Sequence, residues 1–259
     1  MRVMSFNLRS DFILDFKNRW DKRKHIVYEV IDKYDCDIIG VQEVTNKMFD
    51  DIIDNFKSYT IVGSARSKKD FSERNNLFVK NKNKIIKHNT FWLSKSPDKV
   101  GSQLWYSLYP RICTTAVVEL ENGDKVRVYN THLDCFLPQA RDFGLKKLSQ
   151  FIDKNRKEEK LPVIVMGDFN ATPDSKIIKK FAAGEYNTDR FVAVQEVKRE
   201  LYKKSTMSKF KGKENGLHID YIFVSEDLEI VDVDIVKYND NGSYPSDHYP
   251  LIADIKIKK

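Results

Sequence analysis

The chain has 259 residues, with 45 Lys+Arg against 38 Asp+Glu and a formal net charge of +7. Its 41% hydrophobic and 12% aromatic content excludes a mainly disordered chain and is enough to bury a sizeable core. The longest apolar stretches, such as 163–166, are far shorter than the ~20 residues that a membrane span needs. Three widely spaced cysteines, Cys36, Cys113 and Cys135, match neither a disulfide framework nor a zinc-binding pattern.

The first residues and the charge pattern bear on location and partners. Residues 1–6 are typical of a strand and lack the apolar segment of a signal peptide, which favours a cytoplasmic location. The basic excess favours attraction of polyanions such as nucleic acid. Lysine-rich runs such as 80–84 and 256–259 are more often a solvated surface, and both interpretations stay open.

The first half of the chain predicts strands and helices in alternation. Residues 2–6 are expected to form the first strand. Apolar residues recur at helical spacing over 20–34, and 37–42 is predicted as a buried strand. Thr45 is a suitable N-cap for a second helix that runs to Phe56.

The second half begins with a hairpin over residues 117–128, where Asn122-Gly123 predicts a type I′ turn. Pro138 is predicted to open a third helix that runs through Ile152. Further strands are predicted at 162–166, 219–224, 229–236 and 250–257.

Many strands, often in hairpins and separated by helices, are typical of two sheets packed together. We therefore predict an α/β fold with two mixed, mostly antiparallel sheets packed face to face and helices outside. No repeat, linker or composition change divides the chain, so 1–259 is predicted to be a single domain.

Polar residues gather where the apolar strands begin or end, so that their side chains can enter a shared cleft. One such residue alone is more often a turn former, but six groups in one chain favour a functional site. The groups are Asn7, Gln42-Glu43, Asn130–Asp134, Gly167–Asn170, His218–Tyr221 and Ser246–His248.

These motifs, in this order, resemble the endonuclease/exonuclease/phosphatase superfamily, and within it a compact bacterial branch of nocturnin-like proteins. The most specific parts are Gln42-Glu43, Gly167–Asn170 and Ser246–His248. The resemblance spans essentially the whole chain. It implies a four-layer α/β/β/α sandwich, which agrees with the predicted elements, and hydrolysis of phosphate esters.

The resemblance also implies a divalent metal site. Hydrolysis of a phosphate ester needs a cation that neutralises phosphate oxygens and a base that activates water. Mg²⁺ prefers one or two carboxylates together with water and substrate oxygens. Glu43 is the predicted ligand, assisted by Asn7 and Asp247, with Mg²⁺ as the cofactor and Mn²⁺ as a substitute.

Asp168 and Asn170 are predicted catalytic residues. Asp168 can orient or deprotonate the attacking water, and the Asn170 amide can donate to a phosphate oxygen. The structural alternative for this motif is an Asx turn.

Two histidines complete the catalytic prediction. His248 with Asp220 resembles the family's His–Asp pair, in which the carboxylate fixes the ring tautomer and favours imidazolium. His132 resembles a second catalytic histidine, and Glu73 is its candidate carboxylate partner. A surface salt bridge is the alternative role for Glu73.

Phosphate contacts are predicted for Arg111 and Arg9, and Glu73 is predicted to lie with them in the substrate-binding part of the site. Arg111 precedes a strand and can clamp phosphate with two hydrogen bonds, although a structural ion pair is as plausible. Arg9 stands where some family members carry a second acidic residue, which disfavours a second metal. Four aromatic residues could stack a base or cover a substrate, with core packing the commoner role; they are Trp92, Trp105, Tyr106 and Tyr109.

The sequence therefore predicts a Mg²⁺-dependent phosphoric ester hydrolase that uses direct attack of water. A nuclease, either an exonuclease or a nucleotide-phosphate hydrolase, is the first candidate. An inositol or lipid phosphate phosphatase or a sphingomyelinase-like phosphodiesterase is the enzymatic alternative. A catalytically inactive module that binds nucleic acid or phosphoinositide is the non-enzymatic one. We expect a monomer.

Overall fold

The computed structural model contains two six-stranded sheets. It describes residues 1–186 and 190–258. One sheet has the strand order β11-β12-β1-β2-β4-β3, and the other has the order β5-β6-β7-β8-β10-β9. In chain order the strands are β1 (Arg2–Asn7), β2 (Ile38–Val44), β3 (Tyr59–Val62), β4 (Arg74–Lys80), β5 (Lys84–Trp92), β6 (Ile112–Glu119), β7 (Lys125–His132), β8 (Val163–Asp168), β9 (Phe191–Ala193), β10 (Asp220–Ser225), β11 (Leu228–Ile235) and β12 (Leu251–Ile257).

The three predicted helices begin where the sequence predicts, whereas α4 and the 3₁₀ segments were not predicted. The Thr45 hydroxyl accepts a hydrogen bond from the Met48 N–H at 3.4 Å, and Pro138 is the first residue of the third helix. None of the described helices combines the length and the apolar character that a membrane span requires. The α-helices are α1 (Trp20–Tyr34), α2 (Asn46–Asn55), α3 (Pro138–Glu158) and α4 (Lys176–Ala182), and 3₁₀ segments cover Ile13–Asn18 and Val194–Lys203.

Three apolar layers stack the elements into the predicted α/β/β/α order. Val3 and Ile164 belong to the layer between the two sheets. Val30 of α1 packs in a second layer on the outer face of the first sheet. Leu148 of α3 packs in a third layer outside the second sheet. Each sheet contains one parallel pair among antiparallel ones, so the predicted fold class is confirmed.

The two parallel pairs decide where the polar strand ends meet. In the first sheet β1 and β2 end together, with Asn7 opposite Gln42. In the second sheet β7 and β8 end together, with His132 opposite Asp168. Strand β10 runs antiparallel to β8 and begins with Asp220 opposite Asp168. We call this end of the sandwich the cleft end.

The predicted type I′ turn is wrong. Gly123 has φ +86°, but Asn122 is not among the described residues with positive φ, and a type I′ turn needs both. The Gly123 N–H instead donates to Leu120 O at 2.8 Å, and the Leu120 N–H donates to Asp124 O at 2.7 Å. This pattern is typical of a longer hairpin loop with one left-handed glycine.

Gly167 lets β8 lie close against β7 just before Asp168. Its φ is +143°, and an added Cβ would overlap the carbonyl oxygen of Thr131. A side chain could therefore be accommodated only if the two parallel strands separated. The glycine thus sets the position of the next residue, Asp168.

We expect Gly167→Ala to lower the free energy of unfolding by roughly 3 kcal/mol or more, because a rigid backbone clash adds to the cost of positive φ. Gly123→Ala is the matched control. It has positive φ but nothing within 4 Å of an added Cβ, so it should cost only about 1–2 kcal/mol. Urea unfolding measures both, and equal losses would contradict the close approach of β7 and β8.

Candidate active site

Glu43 reaches the cleft because β2 contains a bulge. Ile39 and Val41 point toward the helices, and regular alternation would place Glu43 on that same face. The register with β4 shifts between Val41 and Val44, and Glu43 adopts φ +62°. Val44 then takes the helix-facing position, and the Glu43 carboxylate turns toward the cleft, since a bulge can re-aim a side chain.

Asn7 joins carboxylates from both sheets. Its amide nitrogen donates to Glu43 Oε1 and to Asp168 Oδ2, both at 3.0 Å. The other Glu43 oxygen accepts from the Ser10 N–H at 3.0 Å. Burial alone would raise the pKa of Glu43, but nearby positive charge and these hydrogen bonds outweigh it and lower the pKa to about 2. Glu43 is therefore a carboxylate at neutral pH.

Asp168 is buried among other acids. Burial first, and then the charge of Asp220, raise its pKa to about 7. Its Oδ1 accepts from the Asn170 N–H at 2.8 Å, so the Asx turn considered from the sequence is formed. Asn170 has φ +49°, a conformation that asparagine tolerates better than most residues. The turn leaves Asp168 Oδ2 facing Asn7.

His248 and Asp220 form the predicted pair. His248 Nδ1 lies 2.9 Å from Asp220 Oδ2, and His248 Nε2 lies 3.8 Å from Asp168 Oδ2. Burial would lower the pKa of His248, but the charge and hydrogen bond of Asp220 outweigh it and hold the pKa well above its usual value. The Asp220 carboxylate thus favours imidazolium and directs Nε2 toward Asp168.

His132 faces the cleft, but its predicted partnership with Glu73 is not formed. The Glu73 carboxylate instead binds Arg66 Nη1 at 2.6 Å, because a guanidinium is the stronger partner. His132 Nε2 lies 3.0 Å from the Asn170 amide nitrogen and 3.5 Å from Asp168 Oδ2. Burial, and next the charge of Arg111, hold the pKa of His132 well below its usual value.

The predicted phosphate-binding arginines lie beside this cluster. Arg111 is buried and donates to Cys135 Sγ at 3.2 Å, while its Nε has no partner among the described residues. Arg9 binds both oxygens of Asp15, at 2.9 and 3.1 Å, and its Nε lies 3.9 Å from Asp247 Oδ2. The structural ion pair considered for Arg111 is thus not formed within the described chain.

Two overlapping groups of side chains could hold a cation. Glu43, His132 and Asp168 present ligand atoms within 4.8 Å of one another, and so do Asp168, Asp220 and His248. Asp247, a predicted ligand, lies in neither group. Burial and the charges of Asp220 and Glu43 raise the pKa of Asp168. A divalent cation would offset this repulsion, so the residues present fit Mg²⁺ or Mn²⁺.

Arg23 is a buried residue that the sequence analysis missed. Its guanidinium donates to four backbone carbonyls at 2.5–2.8 Å. Two of them belong to Leu8 and Arg9, directly after Asn7, and one belongs to Pro245, directly before the Ser246–His248 motif. Burial lowers its pKa to about 10, so the side chain stays charged and fixes the loop after β1 to the loop before β12.

The sequence analysis also missed polar contacts at two places beneath the site. The Gln42 amide donates to Asn130 Oδ1 at 2.7 Å, and the Asn130 amide donates back to Val41 O at 2.9 Å, which links the two sheets. The Thr206 hydroxyl accepts from the Asp220 N–H at 3.1 Å. These contacts join segments that are far apart in the sequence, and local sequence patterns do not show which distant segments meet.

The chain is similar to known phosphate-ester hydrolases. The profile of the Endonuclease/Exonuclease/phosphatase family matches residues 4–248. The CCR4-Not complex 3'-5'-exoribonuclease subunit Ccr4 of Candida albicans is 23% identical over 93% of this chain and 38% of its own length. Mouse nocturnin is 24% identical over 100% of this chain and 66% of its own. The chain therefore spans two thirds or less of these relatives.

A solved structure has the same fold. The mannosyl-6-phosphatase of Bacteroides thetaiotaomicron superposes with a TM-score of 0.88 at 24% identity, covering 99% of this chain and 100% of its own.

We expect Arg23→Met to lower the free energy of unfolding by about 3 kcal/mol. The substitution leaves several buried carbonyl oxygens without a hydrogen-bond donor, and each such group costs about 1–3 kcal/mol. Arg127→Met is the matched control. Arg127 is also buried, but its one hydrogen bond to a described acid is a 3.4 Å contact with Glu159. Urea unfolding compares the two variants, and a smaller loss for Arg23→Met than for Arg127→Met would contradict the loop-fixing role.

We expect Asp220→Asn to lower the pKa of His248, because the substitution removes the negative charge that favours imidazolium. NMR titration of the histidine ring signals in metal-free protein measures the shift. His25, which is exposed on α1, serves as the internal control. An unchanged His248 titration would show that the two residues are not coupled.

Proposed function

The chain belongs to the endonuclease/exonuclease/phosphatase family, whose members hydrolyse phosphate esters, and we propose that it is a divalent-metal-dependent phosphoric ester hydrolase. The single observation that carries this proposal is the Asn7 amide, which joins Glu43 of one sheet to Asp168 of the other. An acidic cluster of this kind, beside a His–Asp pair, suits hydrolysis by direct attack of water.

Glu43 would hold the metal, with Asn7 and Asp247 as the further predicted ligands. A bound Mg²⁺ would supply positive charge to the phosphate oxygens. The Asn7 amide nitrogen donates to Glu43 and Asp168 from the position between them, which stabilises both side chains without cancelling the negative charge. A bound cation would replace the Asn7 N–H groups beside these carboxylates, and the Asn7 amide oxygen would then be the atom that can ligate it.

Asp168 is the proposed residue that orients or deprotonates water. A divalent cation beside Asp168 would favour its carboxylate form, which can accept a hydrogen bond or a proton from the attacking water. The Asx turn and Asn7 hold its two oxygens in place. The imidazolium of His248, whose Nε2 faces Asp168, would stabilise negative charge or transfer a proton.

The phosphate side of the site is proposed to contain Asn170, His132 and Arg111. The Asn170 amide and the His132 ring are in contact, so a phosphate oxygen can meet both. Arg111 Nε has no hydrogen-bond partner in the part of the chain that the structure describes, so this side chain suits a bidentate phosphate contact. Arg9 is bound to Asp15, so a phosphate contact by Arg9 requires exchange of that partner.

The proposed substrate is nucleic acid or a nucleotide. This choice is supported by the curated relatives, a 3'-5'-exoribonuclease subunit and nocturnin. A sugar, inositol or lipid phosphate is the enzymatic alternative, and the mannosyl-6-phosphatase of the same fold favours including it. A binding module without catalysis would not need both a metal carboxylate and a His–Asp pair.

A substrate panel tests the function. Oligonucleotides, dinucleotides, inositol phosphates, mannose 6-phosphate and sphingomyelin are each incubated with Mg²⁺ or Mn²⁺, with His248→Ala as the control. We expect metal-dependent release of product from a nucleic-acid substrate by the wild type only. Turnover of none of these esters would contradict the proposed hydrolase, and turnover of a non-nucleotide ester alone would favour the alternative.

We expect Glu43→Gln to weaken Mn²⁺ binding by about tenfold or more, because it keeps the shape of the side chain and removes the charge that a hard cation prefers. Isothermal titration calorimetry measures the affinity, and circular dichroism checks that the fold persists. Glu29→Gln, on the exposed side of α1 near Tyr238, is the control. Unchanged affinity in Glu43→Gln would remove Glu43 from the metal site.

We expect alanine substitution of Asp168, Asn170 or His248 to lower kcat by about 10²–10⁴ each, the range of acid–base and oxyanion-stabilising groups. Because the three residues would serve one step, their combined loss should be far smaller than the product of the single losses. Steady-state kinetics of the single and double variants measures this. Losses that multiply would show that the residues act independently.

A further inference from the structure

The strongly exposed aromatic side chains of the described chain are confined to connections at the cleft end. They are between 45% and 90% exposed, whereas the other phenylalanine, tyrosine and tryptophan side chains of the described chain are at least half buried. We call these six the aromatic rim; they are Phe12, Phe16, Phe71, Trp105, Tyr109 and Phe136.

Topology puts the rim around the cleft. Its residues lie on four connections, which join β1 to α1, β3 to β4, β5 to β6, and β7 to α3. Each connection starts or ends where the sheets carry Asn7, Glu43 or His132. Two of the four aromatic residues predicted to stack, Trp105 and Tyr109, belong to the rim. Trp92 does not, since it is buried and donates to Arg66 O.

The rim costs stability in the free protein. Exposed aromatic surface is unfavourable in water, and Phe16 also adopts φ +43°, a region that is strained for a bulky residue. Six such side chains around one cleft are expected when a ligand packs against them.

The same connections carry positive charge. Five exposed lysines lie on them, against two exposed aspartates, Asp70 and Asp98. The other acids there, Asp11, Asp15 and Glu73, bind arginines, and Asp134 accepts from Ser107. The five lysines are Lys17, Lys68, Lys69, Lys95 and Lys99.

We propose that the aromatic rim binds the unpaired bases of a single-stranded polynucleotide, with the lysines along its phosphates. The inference rests on the proposed function and narrows its substrate class from nucleic acid in general to unpaired strands. Aromatic faces accept any base by stacking, and lysines track the backbone. A lipid surface is less suited, because the rim is divided among four connections, whereas interfacial anchors present one continuous apolar face.

Fluorescence anisotropy tests the proposal with labelled 12-nucleotide DNA and RNA strands and a duplex of the same sequence, in excess EDTA so that no hydrolysis occurs. We expect the single strands to bind at least about tenfold more tightly than the duplex. Trp105→Ala and Phe136→Ala should each weaken binding by about 5- to 150-fold, the value of one stacked base. Ile86→Ala, an exposed apolar residue of β5, should leave the affinity unchanged.

Equal affinity for duplex and single strand, or rim variants that bind like the wild type, would overturn the inference. So would binding to phosphatidylglycerol vesicles, lost in the rim variants, without binding to either oligonucleotide. Adding Mg²⁺ separates this inference from the proposed function. If single strands bind but no ester is hydrolysed, only the proposed hydrolase activity is contradicted. If a small ester is hydrolysed but single strands do not bind, only the proposed role of the aromatic rim is contradicted.

Discussion

Mutual repulsion among buried carboxylates is the constraint on which this site depends. Glu43, Asp168, Asp220 and Asp247 converge on one cleft, and like charges in a poorly hydrated space are costly. The fold offsets this cost locally. Asp220 is paired with His248, Glu43 accepts from Ser10 and Asn7, and the pKa of Asp168 rises to about 7. The remaining negative charge between Glu43 and Asp168 is what makes this position attractive to a divalent cation.

The two-sheet architecture brings these acids together without a dedicated metal-binding loop. Each sheet contributes one pair of parallel strands, and the polar residues lie at the shared ends of those pairs. Gly167 sets the spacing of β8 against β7, and Arg23 fixes the loop after β1 to the loop before β12. Side chains from distant parts of the chain therefore meet in a rigid frame, which hydrolysis of a stable ester requires.

Much of the fold was readable from the sequence because local rules decide it. Apolar patterns and turn signals predicted eight of the twelve described strands and three of the four described α-helices, and Thr45 and Pro138 marked helix starts that the structure confirms. The family resemblance, carried by short motifs such as Gly167–Asn170, is confirmed by the family match and the nocturnin relatives.

The predictions that were wrong or missing concern side-chain contacts between residues that are far apart in the sequence. Glu73 binds Arg66 rather than His132, and the sequence ranks no partner above another. Arg23 is one of several cations on an amphipathic helix, and its four backbone carbonyl partners, which distinguish it from the others, lie far from it or outside the helix pattern.

The bulge that turns Glu43 into the cleft was also beyond the sequence, because strand alternation alone predicts the opposite face.

The central claim is that the space between Glu43 and Asp168 binds a divalent cation. Anomalous diffraction from crystals soaked in Mn²⁺ tests it most directly, because manganese scatters anomalously and the protein contains only a few sulfur atoms that do so weakly. We predict an anomalous peak within coordination distance of the Glu43 carboxylate, in the cleft that also contains Asp168. A fully soaked crystal with no peak in this cleft, or with its only peak at surface acids, would contradict the account.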